Sequence, residues 1–457
     1  MSKIPHFLVI PFPVLGHVNP LMQFSEVLAK HGCKVTFLNT EFSQKRVMAA
    51  AASSSHHHQH SKNNSLIKTV TLPDGLSEDD DRSKPIEFIQ SVKSTMPGKL
   101  PKLIEDVNNG EGQDSKISCI VVSMNMGGAL EVAQKLGIKG AVLFPASATS
   151  MASVACVQRL IDDGIIDPET GLPIKNEEIQ LSPDMPLMDP AKFAWTTLGK
   201  SFFGPMLQEA QTLISLGQWW LCNTTYELEP GALSISPKFL PIGPLLPDEQ
   251  NSSSSFWQED QTCLDWLDQQ PPRSVIYVSF GSLAVMDPSQ FKELALGLDL
   301  LDRPFLWVVR PSNTNKPNGS YVFPEGFKGE KGKIINWAPQ KKVLNHPSVA
   351  CFVSHCGWNS TMDGVCSGVP FLCWPFFSDQ FEDKEYVCNV WKIGLGFEKD
   401  ENGVITREEI KEKVEKLIGD EEIRERSLKW KKMVMDNVAE GGRSSDNLKK
   451  FINWTKE

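Results

Sequence analysis

Residues 6–39 read HFLVIPFPVLGHVNPLMQFSEVLAKHGCKVTFLN. The run HFLVIPF is apolar without alternation, the mark of a strand buried on both faces. PVLGH is a Pro/Gly loop. NPLMQFSEVLAKHG carries the 3–4 spacing of an amphipathic helix and stops at Gly32. CKVTFLN is a second strand. Strand, crossover helix and strand of this length form a βαβ unit, and its two strands must run parallel.

The same alternation continues along the chain. ISCIVVS (117–123) reads as a strand, GALEVAQKLG (128–137) as a helix and KGAVLFPASA as a strand entering a loop. WWLCNTTYELEP (219–230) reads as a further strand and turn. The Pro- and Ser-rich stretch PIGPLLPDEQNSSSSF (241–256) is the best linker. Beyond it the pattern restarts with SVIYVSFGS, PSQFKELALGLDLL, PFLWVVR, KIINWAP and ACFVSH. REEIKEKVEKLIG (407–419) and SSDNLKKFINWTK read as closing helices. The expectation is α/β, with two Rossmann-like doubly wound domains facing across a cleft. The first spans 1–245, the linker 246–256 and the second 257–440, with a last helical segment at 441–457.

Composition narrows the function. The chain has 457 residues, 40% apolar and 22% charged, with a net charge of −10. An acidic surface argues against nucleic acid as partner. No 18-residue apolar run suggests a membrane span, and the N-terminus lacks a signal-peptide pattern. Ten cysteines without C-x-x-C pairs read as reduced thiols, which places the protein in the cytoplasm. The four histidines in AAASSSHHHQHSKNNS (50–65) could suggest a metal; a polar surface tract is the simpler reading. The acidic run EDDDR (78–82) is read as a solvated loop.

The chemistry concentrates in 337–380, WAPQKKVLNHPSVACFVSHCGWNSTMDGVCSGVPFLCWPFFSDQ. After the strand ACFVSH, a helix is expected to begin near Asn359 or Ser360, which are good N-caps. Gly357 permits close backbone approach to a ligand. Free N–H groups at such a turn, with His355 and the Asn and Ser side chains, suit a phosphate or diphosphate. Trp337, ending a strand, could stack a base. Asp363 lies one turn beyond Asn359 and Ser360 and can accept from ribose hydroxyls. Asp379 and Gln380 suit vicinal sugar hydroxyls. Together these describe a nucleotide-sugar site. A dinucleotide oxidoreductase also fits the fold class, but FPVLGH is not G-x-G-x-x-G and no acidic residue ends CKVTFLN.

This window closely resembles the signature box of the plant family 1 UDP-dependent glycosyltransferases, through W-A-P-Q, V-L-x-H, H-C-G-W-N-S, G-x-P and D-Q. The resemblance extends over the whole chain through GHVNP, CNTTYELEP, PIGPLL and VSFGS. It implies the two-domain GT-B fold, with the last helix crossing back onto the first domain. It implies that Trp337 stacks uracil and the Ala338 backbone pairs with it. Gln340 and Asp363 would hold the ribose; His355, Asn359, Ser360 and Ser282 the diphosphate; Trp358, Asp379 and Gln380 the sugar. Where the family has Glu, this chain has Asp363. It further implies an inverting monomer that takes UDP-glucose as co-substrate, with no metal and no resident cofactor, and gives a small lipophilic plant metabolite a β-glycosidic link.

By the same resemblance His17 is the general base. A position at a helix start would keep its ring neutral and able to accept a proton. The family's supporting Asp falls at Ser123, and no carboxylate occurs between Asp114 and Glu131. His17 could work with Ser123 or Asn125, or unaided, which would favour acidic acceptors. Another carboxylate could reach it from elsewhere, or the chain could be a catalytically weak nucleotide-sugar-binding relative. Gly128, where the family commonly has Trp, is expected to enlarge the acceptor pocket. Ser147 is a further candidate contact. FAWTTLGKSFFGPM (193–206) suggests either an aromatic pocket wall or a packed helix.

Overall fold

The computed structural model describes residues 4–53, 66–110, 116–175, 177–246, 259–310 and 322–457. Most of the histidine-bearing tract and of the 246–256 linker lies outside these residues. The chain forms two compact units, Met1–Trp257 with Asn437–Glu457, and Gln258–Asp436.

The first unit is built on seven parallel strands: β1 His6–Ile10, β2 Lys34–Thr40, β3 Ile67–Leu72, β4 Cys119–Val122, β5 Lys139–Phe144, β6 Trp219–Cys222 and β7 Phe239–Pro241. Their order is β3-β2-β1-β4-β5-β6-β7. The apolar run in β1 follows from burial on both faces. Leu8 and Ile10 join the cluster formed with Val92, Met96 and Leu130. Phe7 and Val9 point the other way, toward Leu21, Phe24 and Phe451. Alternation of side chains along one strand thus feeds two cores.

The second unit holds six parallel strands: β8 Val275–Ser279, β9 Phe305–Val308, β10 Gly332–Ile335, β11 Val349–Ser354, β12 Phe371–Cys373 and β13 Gly394–Gly396. Their order is β10-β9-β8-β11-β12-β13. In both sheets the winding reverses once, between β1 and β4 and between β8 and β11. The carboxyl ends of those strands are where an open α/β sheet leaves a crevice for a ligand.

The chain leaves the second unit at Asp436, because Asn437 Nδ2 already donates to Glu227 Oε2 at 3.0 Å. The helix Arg443–Trp454 lies on the first unit. Its Leu448, Phe451 and Ile452, spaced three and four apart, sit beneath β1. The Phe451 ring lies 5.8 Å from Phe7 and 6.2 Å from Phe24. Lys139 Nζ donates to the Trp454 carbonyl at 2.5 Å. Among the described residues, no helix is long and apolar enough to cross a membrane.

The stretch 193–206 is packed. Phe193, Trp195 and Phe203 are fully buried, and Trp195 Nε1 donates to the Gly171 carbonyl at 3.1 Å. These rings belong to the core, and the aromatic pocket wall considered for them is set aside.

Phe451→Ala should destabilise the first unit by about 3–5 kcal/mol, as expected for an aromatic removed from a closed core. Urea unfolding with wild type alongside measures it; a change below 1 kcal/mol would mean the helix is only loosely attached.

Candidate active site

At the end of β11 the chain reads Ser354-His355-Cys356-Gly357, and the helix Trp358–Ser367 follows directly. Its N-cap is Gly357, not Asn359 or Ser360 as expected. The reason lies in the backbone. Cys356 takes a left-handed φ of 65°, which turns the chain early and starts the helix one residue after the glycine. Gly357 and Gly281 form a cradle for the His355 ring. A Cβ on either would lie 2.5 Å or 2.3 Å from Nε2. Nδ1 is buried without a hydrogen-bond partner. Burial, then the charge of Arg310, lowers the His355 pKa to about 4, so the imidazole is neutral.

Beside it the short helix Gln340–Leu344 meets the helix Trp358–Ser367. Gln340 Nε2 donates to Ser360 Oγ at 3.1 Å and to Asp363 Oδ2 at 3.0 Å. Tyr277 holds the other end of that amide, donating to Gln340 Oε1 at 3.3 Å. Lys341 Nζ lies 3.8 Å from Asp363. Burial raises the Asp363 pKa against these two partners. Two side chains assigned to the ribose and one assigned to the diphosphate are therefore one hydrogen-bonded set.

Trp337 is half-buried and Ala338 buried. The Arg310 guanidinium covers the Trp337 ring at 5.1 Å, a cation–π contact. Arg310 Nη1 also donates to the Ser282 carbonyl at 3.0 Å. One buried cation thus joins the aromatic to the loop after β8. At the far side, burial raises the Asp379 pKa, opposed by hydrogen bonding from backbone that includes Trp358. Gln380 Oε1 accepts from the Phe376 and Phe377 N–H groups at 2.8 and 3.2 Å, leaving Nε2 as the group it can offer. Asn359 is half-buried in the first turn of its helix.

In the other sheet, His17 falls in the first turn of the helix Leu15–Lys30, not on the preceding loop as expected. Its Nδ1 lies 3.0 Å from Ser123 Oγ, just past the end of β4. Ser123 is fully buried. Its Oγ accepts the Phe12 N–H at 2.7 Å and reaches the Met124 carbonyl at 3.3 Å. A hydroxyl has one hydrogen and two lone pairs. With its hydrogen on the Met124 carbonyl, both lone pairs serve the Phe12 N–H and a His17 Nδ1–H. That assignment satisfies every contact and leaves Nε2 as an unprotonated acceptor. The Phe12 ring stands edge-on to the imidazole at 5.6 Å. Burial alone lowers the His17 pKa to about 4.

A model of the family described as UDP-glucoronosyl and UDP-glucosyl transferase matches residues 200–440. UDP-glycosyltransferase 83A1 of Arabidopsis thaliana is 43% identical over 99% of this chain and 97% of its own length. The 7-deoxyloganetic acid glucosyltransferase of Catharanthus roseus is 33% identical over 99% and 97%. The chain is a plant family 1 UDP-glycosyltransferase. Its fold is GT-B. A UDP-glucosyltransferase of Polygonum tinctorium that glucosylates indoxyl superposes with a TM-score of 0.82, 25% identity and full coverage of both chains. Os79 of O. sativa in complex with UDP gives 0.80, 25% identity, and 98% and 100% coverage.

Three of the residues assigned to this glycosyltransferase's site serve elsewhere. The Trp358 ring is buried against Trp391 at 6.2 Å, so only its backbone faces the turn. A Cβ at Gly128 would meet Pro97 Cγ at 2.8 Å. The helix Pro85–Asn109 has closed onto this position, so Gly128 is a helix–helix contact and opens no acceptor space. Ser147 is fully buried and caps the helix Ala148–Ala155, accepting the Ser150 N–H at 3.2 Å. The Glu229 carboxylate completes that cap on Ala148 and Thr149. Asn125 turns the chain with φ of 70°, and the imidazole bonds Ser123 instead. The residues that sequence reasoning missed are Arg310, Tyr277 and Gly281. Arg310 alone left a trace, as a charge ending the apolar strand PFLWVVR.

Both site histidines have folded values below the unfolded value of about 6.5. The unfolded chain then binds more protons between about pH 4 and 6.5, so their contribution is intact above 6.5 and is lost as pH falls toward 4. The loss should be on the order of 1–3 kcal/mol for each. Urea unfolding at pH 7.5 and 5 measures it, and a double His17→Gln, His355→Gln variant should show a correspondingly flatter acid limb.

Proposed function

We propose that this enzyme transfers glucose from UDP-glucose to a hydroxyl or carboxyl of a small lipophilic plant metabolite, with inversion at the anomeric carbon, giving a β-glycoside. The observation that carries this is the linked set Gln340, Ser360 and Asp363 beside the glycine-cradled His355. These donors and acceptors follow the carboxyl ends of strands in the second sheet, where an open α/β sheet leaves a crevice for a ligand. The glucosyltransferase names of the relatives support the sugar, and the UDP complex of the rice protein supports the donor.

Uracil stacks on the Trp337 face opposite Arg310 and pairs with the Ala338 backbone. The ribose hydroxyls reach Gln340 and Asp363. The diphosphate meets Ser282, His355, Asn359, Ser360 and the first N–H groups of the helix Trp358–Ser367. Charge building on the departing UDP is stabilised by those fixed dipoles. No resident cofactor or metal takes part. Gln380 Nε2 and Asp379 hold the sugar hydroxyls. The acceptor oxygen attacks C1 from the face opposite UDP, and its proton passes to His17 Nε2. The enzyme acts as a cytosolic monomer, where its free thiols stay reduced.

A second reading is a weak relative that binds UDP-sugar with little transfer. Ser123 in place of a carboxylate favours it. Incubation with UDP-glucose and a phenolic and terpenoid acceptor panel, followed by mass spectrometry and the anomeric coupling constant by NMR, decides between them. His17→Ala should lower kcat about 10²–10⁴-fold with KM for UDP-glucose nearly unchanged. Trp337→Ala should raise that KM roughly 5- to 100-fold through lost stacking. Binding of UDP-glucose without any glucoside would establish the second reading.

A further inference from the structure

We propose that Ser123 is a specificity-determining residue: by giving His17 a hydroxyl where a carboxylate would offset its charge, it confines transfer to acidic hydroxyls, above all phenols, and excludes aliphatic alcohols. This rests on the transferase reading above and adds the acceptor class to it.

The contacts around the imidazole carry the inference. Ser123 Oγ can accept from an Nδ1–H, the tautomer that also satisfies the Phe12 and Met124 contacts. Nε2 is thereby aimed as a base. When the acceptor proton arrives there, the ring becomes an imidazolium in the first turn of a helix, where the dipole disfavours a cation. Its partner is a neutral oxygen. The Phe12 ring stands edge-on beside the imidazole. Lys93 and Glu209, on the helices beside Gly127, are joined to each other at 2.6 Å, with Glu209 also accepting the Gly127 N–H at 2.7 Å. Among the described residues, no charged side chain shifts His17; burial is the only cause.

The base is therefore weak, and the acceptor must supply the drive. A phenol ionises at about 10 and a carboxyl at about 4. An aliphatic hydroxyl resembles water, near ~15.7. A phenol gives up its proton to the imidazole roughly six decades more readily than an alcohol does. Where a serine protease loses the carboxylate beside its histidine, turnover falls by about 10⁴. Free carboxylates need no base, but among the described residues no charged side chain acts on His17, so burying one there would go uncompensated. A neutral phenol meets both conditions. In the balanced step the phenolic O–H breaks, its proton goes to Nε2, the oxygen bonds C1, and UDP departs with the electron pair.

The test uses the full-length enzyme with UDP-glucose and matched acceptors: ring-substituted phenols of graded acidity, benzyl alcohol and benzoic acid. In wild type, kcat/KM for benzyl alcohol should lie at least about 10³-fold below phenol. Ser123→Asp should narrow that ratio by about 10²-fold and move the acid limb of the pH–rate profile upward. Ser123→Asn, equal in size but uncharged, should leave the ratio where wild type has it. A purely structural role for Ser123 would lower all rates together. Wild-type turnover of benzyl alcohol within tenfold of phenol, or equal changes on both acceptors in Ser123→Asp, would overturn the inference and leave the transferase reading standing. The wild-type panel decides even if Ser123→Asp does not fold. Absence of transfer to every acceptor would overturn both.

Discussion

Parallel strands cannot be joined by tight turns, so each return must cross a face of the sheet as a helix. Where the winding reverses, the two crossovers leave on opposite faces and the strand tips between them stay uncovered. The first sheet places Phe12, His17 and Ser123 at such tips. The second places Gly281, Ser282, His355 and Gly357 at its own. The chemistry of both units is lodged where the covering of the sheet has to fail.

Given those positions, each unit prepares one histidine by a different route. His355 is gripped by two glycines and lies near the Arg310 charge. His17 is gripped by one hydroxyl and an aromatic edge. Both rings are neutral, yet their surroundings suit different tasks. One stands among fixed donors that favour negative charge. The other keeps a free lone pair with little to stabilise the cation it would form.

Support for these groups comes from a few buried polar side chains that close helix ends. Glu209 meets Gly127, Glu229 meets Ala148 and Thr149, and Asp379 meets Trp358. Each satisfies otherwise orphaned N–H groups, so the turns after the strands are rigid. Arg310 does similar work in tying Trp337 to the loop of Ser282. The backbone is thereby set before any ligand arrives.

The sequence by itself determined the βα alternation, because helical spacing and unbroken apolar runs are local patterns. It also marked the segment 337–380, where polar and amide residues interrupt buried strands for no packing reason, and it exposed the absence of a carboxylate at Ser123. Tertiary structure alone decided what touches what. The short strands Phe371–Cys373 and Gly394–Gly396 carry too few residues to show a period. The ring of Trp358 turned into the core, Pro97 filled the space beside Gly128, and Ser147 became a helix cap. Tyr277 joined the site from β8 and Arg310 from just past β9, both outside the segment 337–380. Local pattern fixes which face of an element is apolar, whereas the partner on that face depends on strand order, and strand order is a long-range property written in no single stretch.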